Sequence, residues 1–180
     1  ALQNTGILSD GNDLKGQAGS LQNSGDISGG ANTKGEIVSL NDVSIAVSGT
    51  LQNSGQIRAG NNLTLTGGKT VLDQGTLSAN NQAVITAGAA LDNRNAQIYA
   101  ADITISAAGK LDNTNSTVES RNLLTVTAPS IDNTRGSLRQ ATDADSASRT
   151  QQGIVIRSIN ADKTQDILIN DQGIIASNGA

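Results

Sequence analysis

The residues best suited to chemistry are carboxylates in a regular file. Asp73, Asp92, Asp112 and Asp132 recur at steps of 19, 20 and 20 residues. If such residues stack about 5 Å apart, like charges repel by about 1 kcal/mol per pair in water. A bridging divalent cation would relieve that repulsion, and so would Lys110, Arg94 or Arg135 close by in sequence. The local cations favour solvated, countered carboxylates over calcium. Asp10-Gly11-Asn12-Asp13 has the look of a calcium loop but lacks the glutamate an EF-hand requires, and reads as a turn. Asp143 and Asp145 resemble an acid pair, yet they sit in a polar, aperiodic stretch unable to fix the separation glycoside hydrolysis needs. There is no His, no Cys and no Gly-x-Ser-x-Gly, which argues against nucleophilic triads. No catalytic residue, metal ligand or cofactor site is expected.

Two further features have a functional and a plain reading. Tyr99, the one aromatic residue, falls between Ile98 and Ala100, which alternation turns inward. It reads as a surface ring, with glycan contact as the functional alternative. Thr64, Val84, Thr104 and Thr125 form one file of outward positions, and Thr66, Thr86, Ser106 and Thr127 a second. Regular Thr arrays order water on ice-binding solenoids; here the interruptions at Val84 and Ser106 favour simple strand propensity.

The carboxylates belong to a recurring word: aliphatic, then Gln or Asp, then Asn. It stands at Leu2-Gln3-Asn4, Leu21-Gln22-Asn23, Leu51-Gln52-Asn53, Leu91-Asp92-Asn93, Leu111-Asp112-Asn113 and Ile131-Asp132-Asn133, with Leu72-Asp73-Gln74 as a weaker copy. A fixed period of this length marks a repeat architecture. A second aliphatic follows each word at Ile7, Ile27, Ile57, Leu77, Ile98, Val118 and Leu138. A short alternating strand comes next, ending at Ile45, Leu65, Ile85, Ile105 and Val126. Each repeat thus holds three half-buried strands separated by Gly, Asn, Ser or Asp, which are turn residues.

Three strands and three turns in about 20 residues describe one coil of a parallel β-helix, an all-β solenoid whose coils stack at about 4.8 Å. About eight coils are expected, giving a rod of roughly 40 Å. The words place Leu51, Leu72, Leu91, Leu111 and Ile131 in one inward ladder. Asn4, Asn23, Asn53, Asn93, Asn113 and Asn133 form a second, in which each amide bonds the coils above and below. Composition suits a narrow aliphatic core: there is no Phe, Trp or Met, the hydrophobic fraction is 36% and Pro129 is alone. Net charge is −4 with 16% charged residues, too mild for charge-driven disorder. No basic stripe suggests nucleic acid, and no apolar run approaches a membrane helix.

The period breaks twice. Leu21 to Leu51 is a step of 30, and residues 28–36 are read as a Gly-rich loop. The alternative makes 31–50 a full coil, but leaves 21–30 too short to close a turn. Residues 139–152 are read as a second excursion. Neither end shows a cap, so 1–180 is expected to be one segment of a longer solenoid.

The word Leu-Asp-Asn, a strand such as Ile98-Tyr99-Ala100 and another such as Ile103-Thr104-Ile105-Ser106-Ala107, in a 20-residue period, resemble the haemagglutinin repeats of the filamentous haemagglutinin family. The resemblance covers about residues 2–138, and 169–177 loosely. It implies a right-handed parallel β-helix, secretion to the bacterial surface through an outer-membrane partner transporter (two-partner secretion), and a part in an adhesin or in the stalk of a contact-dependent inhibition effector. A host or neighbouring-cell receptor or glycan would be the partner. There is no Asn-Pro-Asn, Val-Glu-Asn-Asn or Arg-Gly-Asp, so secretion-signal, toxin-junction and integrin roles are not expected of this segment. The expected function is a non-catalytic rod; a polysaccharide-degrading or glycan-binding β-helix enzyme and an ice-binding solenoid are the alternatives.

Overall fold

The computed structural model describes residues 1–141, 153–158 and 168–177, and these form a parallel β-helix with no α-helix among them. The strands make two parallel sheets, one of 13 strands and one of 8. The smaller sheet is the simpler. Ile7–Asp10, Asp26–Gly29, Gln56–Ala59, Thr76–Ala79, Gln97–Ala100, Thr117–Ser120, Ser137–Gln140 and Ile174–Ser177 stack in chain order, one from each successive coil. The larger sheet joins the alternating strands to the strands of the Leu-x-Asn words. The two merge because Val43–Asn53 and Leu63–Val71 run unbroken from one into the other.

Alternation decides which side chains go in. Ile45, Leu65, Ile85, Ile105 and Val126 are paired neighbours along one inward file. Ile27, Ile57, Leu77, Ile98, Val118 and Leu138 make another. All of these are buried. Each fully buried aliphatic is worth roughly 1.5–3 kcal/mol. The files pack as a column only two or three side chains wide, which explains how the chain builds a core without aromatics.

Two placements differ from the sequence reading. Thr70, not Leu72, pairs with Leu51 and Leu91; Leu72 lies two residues further on, at the position of the word's Asn. Its amide donates to the Asp92 carbonyl as the Asn93 amide donates to Asp112. The cause lies in strand Val43–Asn53, which shifts register against Leu63–Val71 between Val47 and Thr50. At the start of the chain Leu8, not Ile7, pairs with Ile27, and Ile7 pairs with Asp26.

Leu21 pairs with Leu51, so residues 21–50 make one coil. Ser28 and Gly29 belong to strand Asp26–Gly29, and the chain leaves the coil only at Gly30, returning at Val43. Likewise Arg139 and Gln140 close a strand, paired with Glu119 and Ser120. Residues 142–152, with Asp143 and Asp145, lie outside the described residues.

Candidate functional site

The word residues meet at one corner of the coil. Asn4 Nδ2 donates to Asn23 Oδ1 at 2.8 Å, and Asn23 Nδ2 donates to Asn53 Oδ1 at 2.6 Å. A second run links Asn93 to Asn113 and Asn113 to Asn133, both at 2.7 Å. Asn133 then donates to Asn170 at 2.6 Å. Asn23, Asn53, Asn93, Asn113 and Asn133 are wholly buried. Every amide points the same way, donating towards the C-terminal neighbour. Between the runs stands Leu72, which can neither accept from Asn53 nor donate to Asn93. Asn170 was legible in Leu168-Ile169-Asn170, a word with Ile in its middle position, and Leu168 pairs with Ile131.

The corner has two forms. From Asn4, Asn23 and Asn53 the next sheet begins three residues on, through Thr5-Gly6, Ser24-Gly25 and Ser54-Gly55. A Cβ on Gly55 would strike the Gly25 carbonyl of the coil before, so only glycine fits there. From Leu72 onwards the step is four residues. The added residue takes the left-handed conformation: Gln74, Asn95, Asn115, Arg135 and Gln172 have φ of 51–62°. Sequence follows form. Where the corner is short, the middle letter of the word is Gln; at the long corners of Asn93, Asn113 and Asn133 it is Asp, which caps the turn, while Val71 and Ile169 hold that place at the other two described long corners. Asp112 Oδ1 accepts from the Thr114 amide and hydroxyl, and Asp132 Oδ1 does the same with Thr134. Asp92 Oδ1 accepts from the Arg94 amide.

The carboxylate file is therefore shorter than the sequence suggests. Asp92, Asp112 and Asp132 pair in register. Val71 holds the position before them, while Asp73 is displaced beyond Leu72 and accepts from Asn95 Nδ2 at 3.2 Å. Cations counter the file. Arg94 makes a two-pronged contact with Asp92 at 2.6 and 2.8 Å, and Lys110 reaches Asp132 at 2.9 Å and Asp112 at 3.7 Å. The Arg94 hydrogen bond holds the Asp92 carboxyl below the usual range. Burial pushes Asp132 up, but Lys110 and the two Thr134 bonds outweigh it, leaving it lowered. Bonding to Asp132 raises the Lys110 ammonium in turn. Among the described residues no group of three or more acidic, His or Cys side chains could hold a metal ion.

A second corner, not foreseen from the word, carries its own polar column. Asp42 Oδ1 accepts from Asn61 Nδ2 and from the Asn62 amide, and Asn81 Nδ2 donates to Asn62 Oδ1 at 2.8 Å. The signal was the Asn-Asn pair at 61–62 and again at 80–81. Beside this corner lies the excursion of residues 30–42, which is tied down. Arg58 bonds the Asp26 carboxylate and donates to the Gly35 carbonyl at 2.7 Å. Asn32 Oδ1 accepts from the Lys34 and Glu36 amides, and Asn41 Nδ2 reaches the Gly11 carbonyl at 2.7 Å. Asp10 Oδ1 accepts from the Asn12 amide, which makes 10–13 a side-chain-capped turn. Val38 and Leu40 stay exposed on the excursion.

On the flat faces, the Thr and Ser files align as paired neighbours, with Val84 between Thr64 and Thr104 and Ser106 between Thr86 and Thr127. Tyr99 faces outward on the smaller sheet, beside Glu119.

The haemagglutinin repeat model matches residues 1–55, 38–115 and 112–180, and so spans the chain in overlapping pieces. The chain belongs to the haemagglutinin repeat family. No curated protein and no solved structure matches it. No helix among the described residues is long and apolar enough to cross a membrane.

Proposed function

We propose that this haemagglutinin-repeat segment is a non-catalytic rod of a longer secreted bacterial exoprotein, an adhesin or an effector stalk, that holds an attachment element away from the cell. One observation carries this reading: parallel pairing continues from coil to coil, across the register shift between Val47 and Thr50, from Leu2–Asn4 to Leu168–Ile169 and from Ile7–Asp10 to Ile174–Ser177. A stack of this kind converts sequence length into reach at about 4.8 Å per coil. The Asn column supports the same reading, because its side-chain amides bond one another along the stack. Family membership supports export through an outer-membrane partner transporter, and the absence of Cys suits a chain that crosses unfolded.

The rod reading predicts tolerance to length. Duplicating residues 111–130 in the full exoprotein inserts one coil in register, since Leu111 and Ile131 occupy the same position. Secretion and attachment should persist, with reach growing by about 5 Å per added copy. Loss of attachment on adding a single coil would overturn the reading. Release of reducing ends from a polysaccharide panel, or thermal hysteresis, would favour the enzymatic or ice-binding alternative instead.

A further inference from the structure

One outward file of the smaller sheet runs through Arg58, Ser78, Tyr99, Glu119 and Arg139, and Arg58 is held by Asp26. Tyr99, Glu119 and Arg139 stand at the same outward position on three consecutive strands. Their Cα atoms are therefore spaced at about 4.8 Å. Tyr99 is the chain's only aromatic residue, and 36% of its surface is exposed. It lines a groove of about 380 Å³ together with Ser78, Asn80, Glu119 and Arg121. That volume falls in the range of small-ligand sites, roughly 300–1,000 Å³.

The lining selects a ligand class. A tyrosine ring offers an apolar face with a polar tip, and suits a partner that is apolar on one side and hydroxylated at its rim. The Glu119 carboxylate accepts hydrogen bonds and, ionised, donates none. Arg121 donates to the Asn80 carbonyl, and Arg139 approaches Glu119 at 3.9 Å, so both guanidinium groups are already engaged by oxygen acceptors. An anionic ligand would have to displace these contacts; hydroxyl groups add to them. Among the described residues that line the groove, which include Ala141 at its edge, Glu119 is the one acid. A peptide strand finds no free edge here, because Gln97–Ala100 and Thr117–Ser120 are each paired on both sides.

We propose that this groove binds a neutral saccharide, with a pyranose ring face on Tyr99 and vicinal hydroxyls on Glu119. Such a site on the flank of the rod adds weak contact with a polysaccharide along its length and leaves the spacing role intact.

The chain supplies its own probe. With no Trp and a single Tyr, its intrinsic fluorescence reports on this groove alone. Titration of the folded segment with cellotetraose, laminaritetraose and chitotriose, beside a heparin tetrasaccharide, should give a saturable change with at least one neutral sugar. Its midpoint should fall below about 10 mM, a weak affinity of roughly 3 kcal/mol. Glu119→Gln should weaken that response at least tenfold while circular dichroism stays unchanged. Calorimetry on Tyr99→Ala, which has no fluorescence to read, should show the binding heat lost. No saturable response to any neutral sugar, a response equal in Glu119→Gln, or binding of the heparin fragment alone would each overturn the proposal.

Discussion

Leu72 occupies the ladder position directly before Asn93, and Asn93 Oδ1 is left buried without a hydrogen-bond partner. Two residues earlier the reverse exchange has happened: Thr70 fills the Leu position, with its hydroxyl also buried and unpartnered. The coil thus carries an aliphatic where its neighbours carry an amide, and a hydroxyl where they carry an aliphatic. It is also the coil at which the corner changes from the three-residue to the four-residue form.

The first prediction is repair. Thr70→Leu with Leu72→Asn restores both columns and keeps the number of apolar side chains constant. Each orphaned buried polar atom costs about 1–3 kcal/mol, so the double variant should gain on that order. A thermal melt followed by circular dichroism should show a higher midpoint. A lower midpoint would mean that the coil is built around Leu72.

Breaking the ladder should cost most in its middle. Asn113 both accepts from Asn93 and donates to Asn133 in a wholly buried setting. Asn113→Ala removes two bonds and strands two amides, a loss of about 2–4 kcal/mol. Asn4 is only half-buried and its Oδ1 has just the Gly6 amide, at 3.4 Å. Asn4→Ala should lose less than half as much. Urea denaturation of the two variants side by side checks the order.

The left-handed residue of the long corner gives a third test. Arg135 has φ of 51°, where a side chain without a local hydrogen-bonding group is strained by about 1–2 kcal/mol. Arg135→Gly or Arg135→Asn should be neutral or stabilising, and Arg135→Val destabilising by about 1 kcal/mol or more. Melting midpoints of the three variants should rank in that order.

The countered carboxylates set a pH window. Asp92 and Asp132 titrate lower in the folded chain than in the unfolded one, so their contribution is present above about pH 4 and disappears as pH falls through the folded values. Lys110 titrates higher when folded, so its contribution is present below about pH 10 and is lost as pH rises through its folded value. Stability should therefore be flat between these limits and fall on both sides. Lys110→Met should remove the alkaline fall. It should also shrink the acid one, because protonating Asp132 then relieves repulsion from Asp112. These groups lie at the surface, the carboxylates partly covered and Lys110 half-exposed, so each effect should stay within about 1 kcal/mol. Melting midpoints across pH 3–11 for both proteins measure it.

The strand order was legible because Val43-Ser44-Ile45, Leu63-Thr64-Leu65 and Ile103-Thr104-Ile105 alternate cleanly, and a period-two pattern buried on one side leaves a single register. The Asn column was legible because its word is unusual. Leu72 was not, because Leu72-Asp73-Gln74 imitates the word. The displacement arises from a register shift upstream, between Val47 and Thr50, that no local residue announces. The next step of 21, from Thr70 to Leu91, restores the count, so the period seen over two coils stays at 20 per coil. Ile7 failed for a related reason: with Leu8 beside it, either residue could be the inward one. The Tyr99 groove was invisible as a group, because Tyr99, Glu119 and Arg139 come together only through stacking across 40 residues.

That stacking is the claim on which the rod, the ladder and the groove all depend, and the absence of cysteine makes it directly measurable. Thr104 and Thr125 are paired neighbours on one face, whereas Glu119 lies on the other sheet. The variant with Thr104→Cys and Thr125→Cys should close an intramolecular disulfide on mild oxidation, since paired strand positions fall within the Cα separation of about 4.4–6.8 Å that the bond requires. The variant with Thr104→Cys and Glu119→Cys should remain reduced. A disulfide in the second and none in the first would contradict the coil.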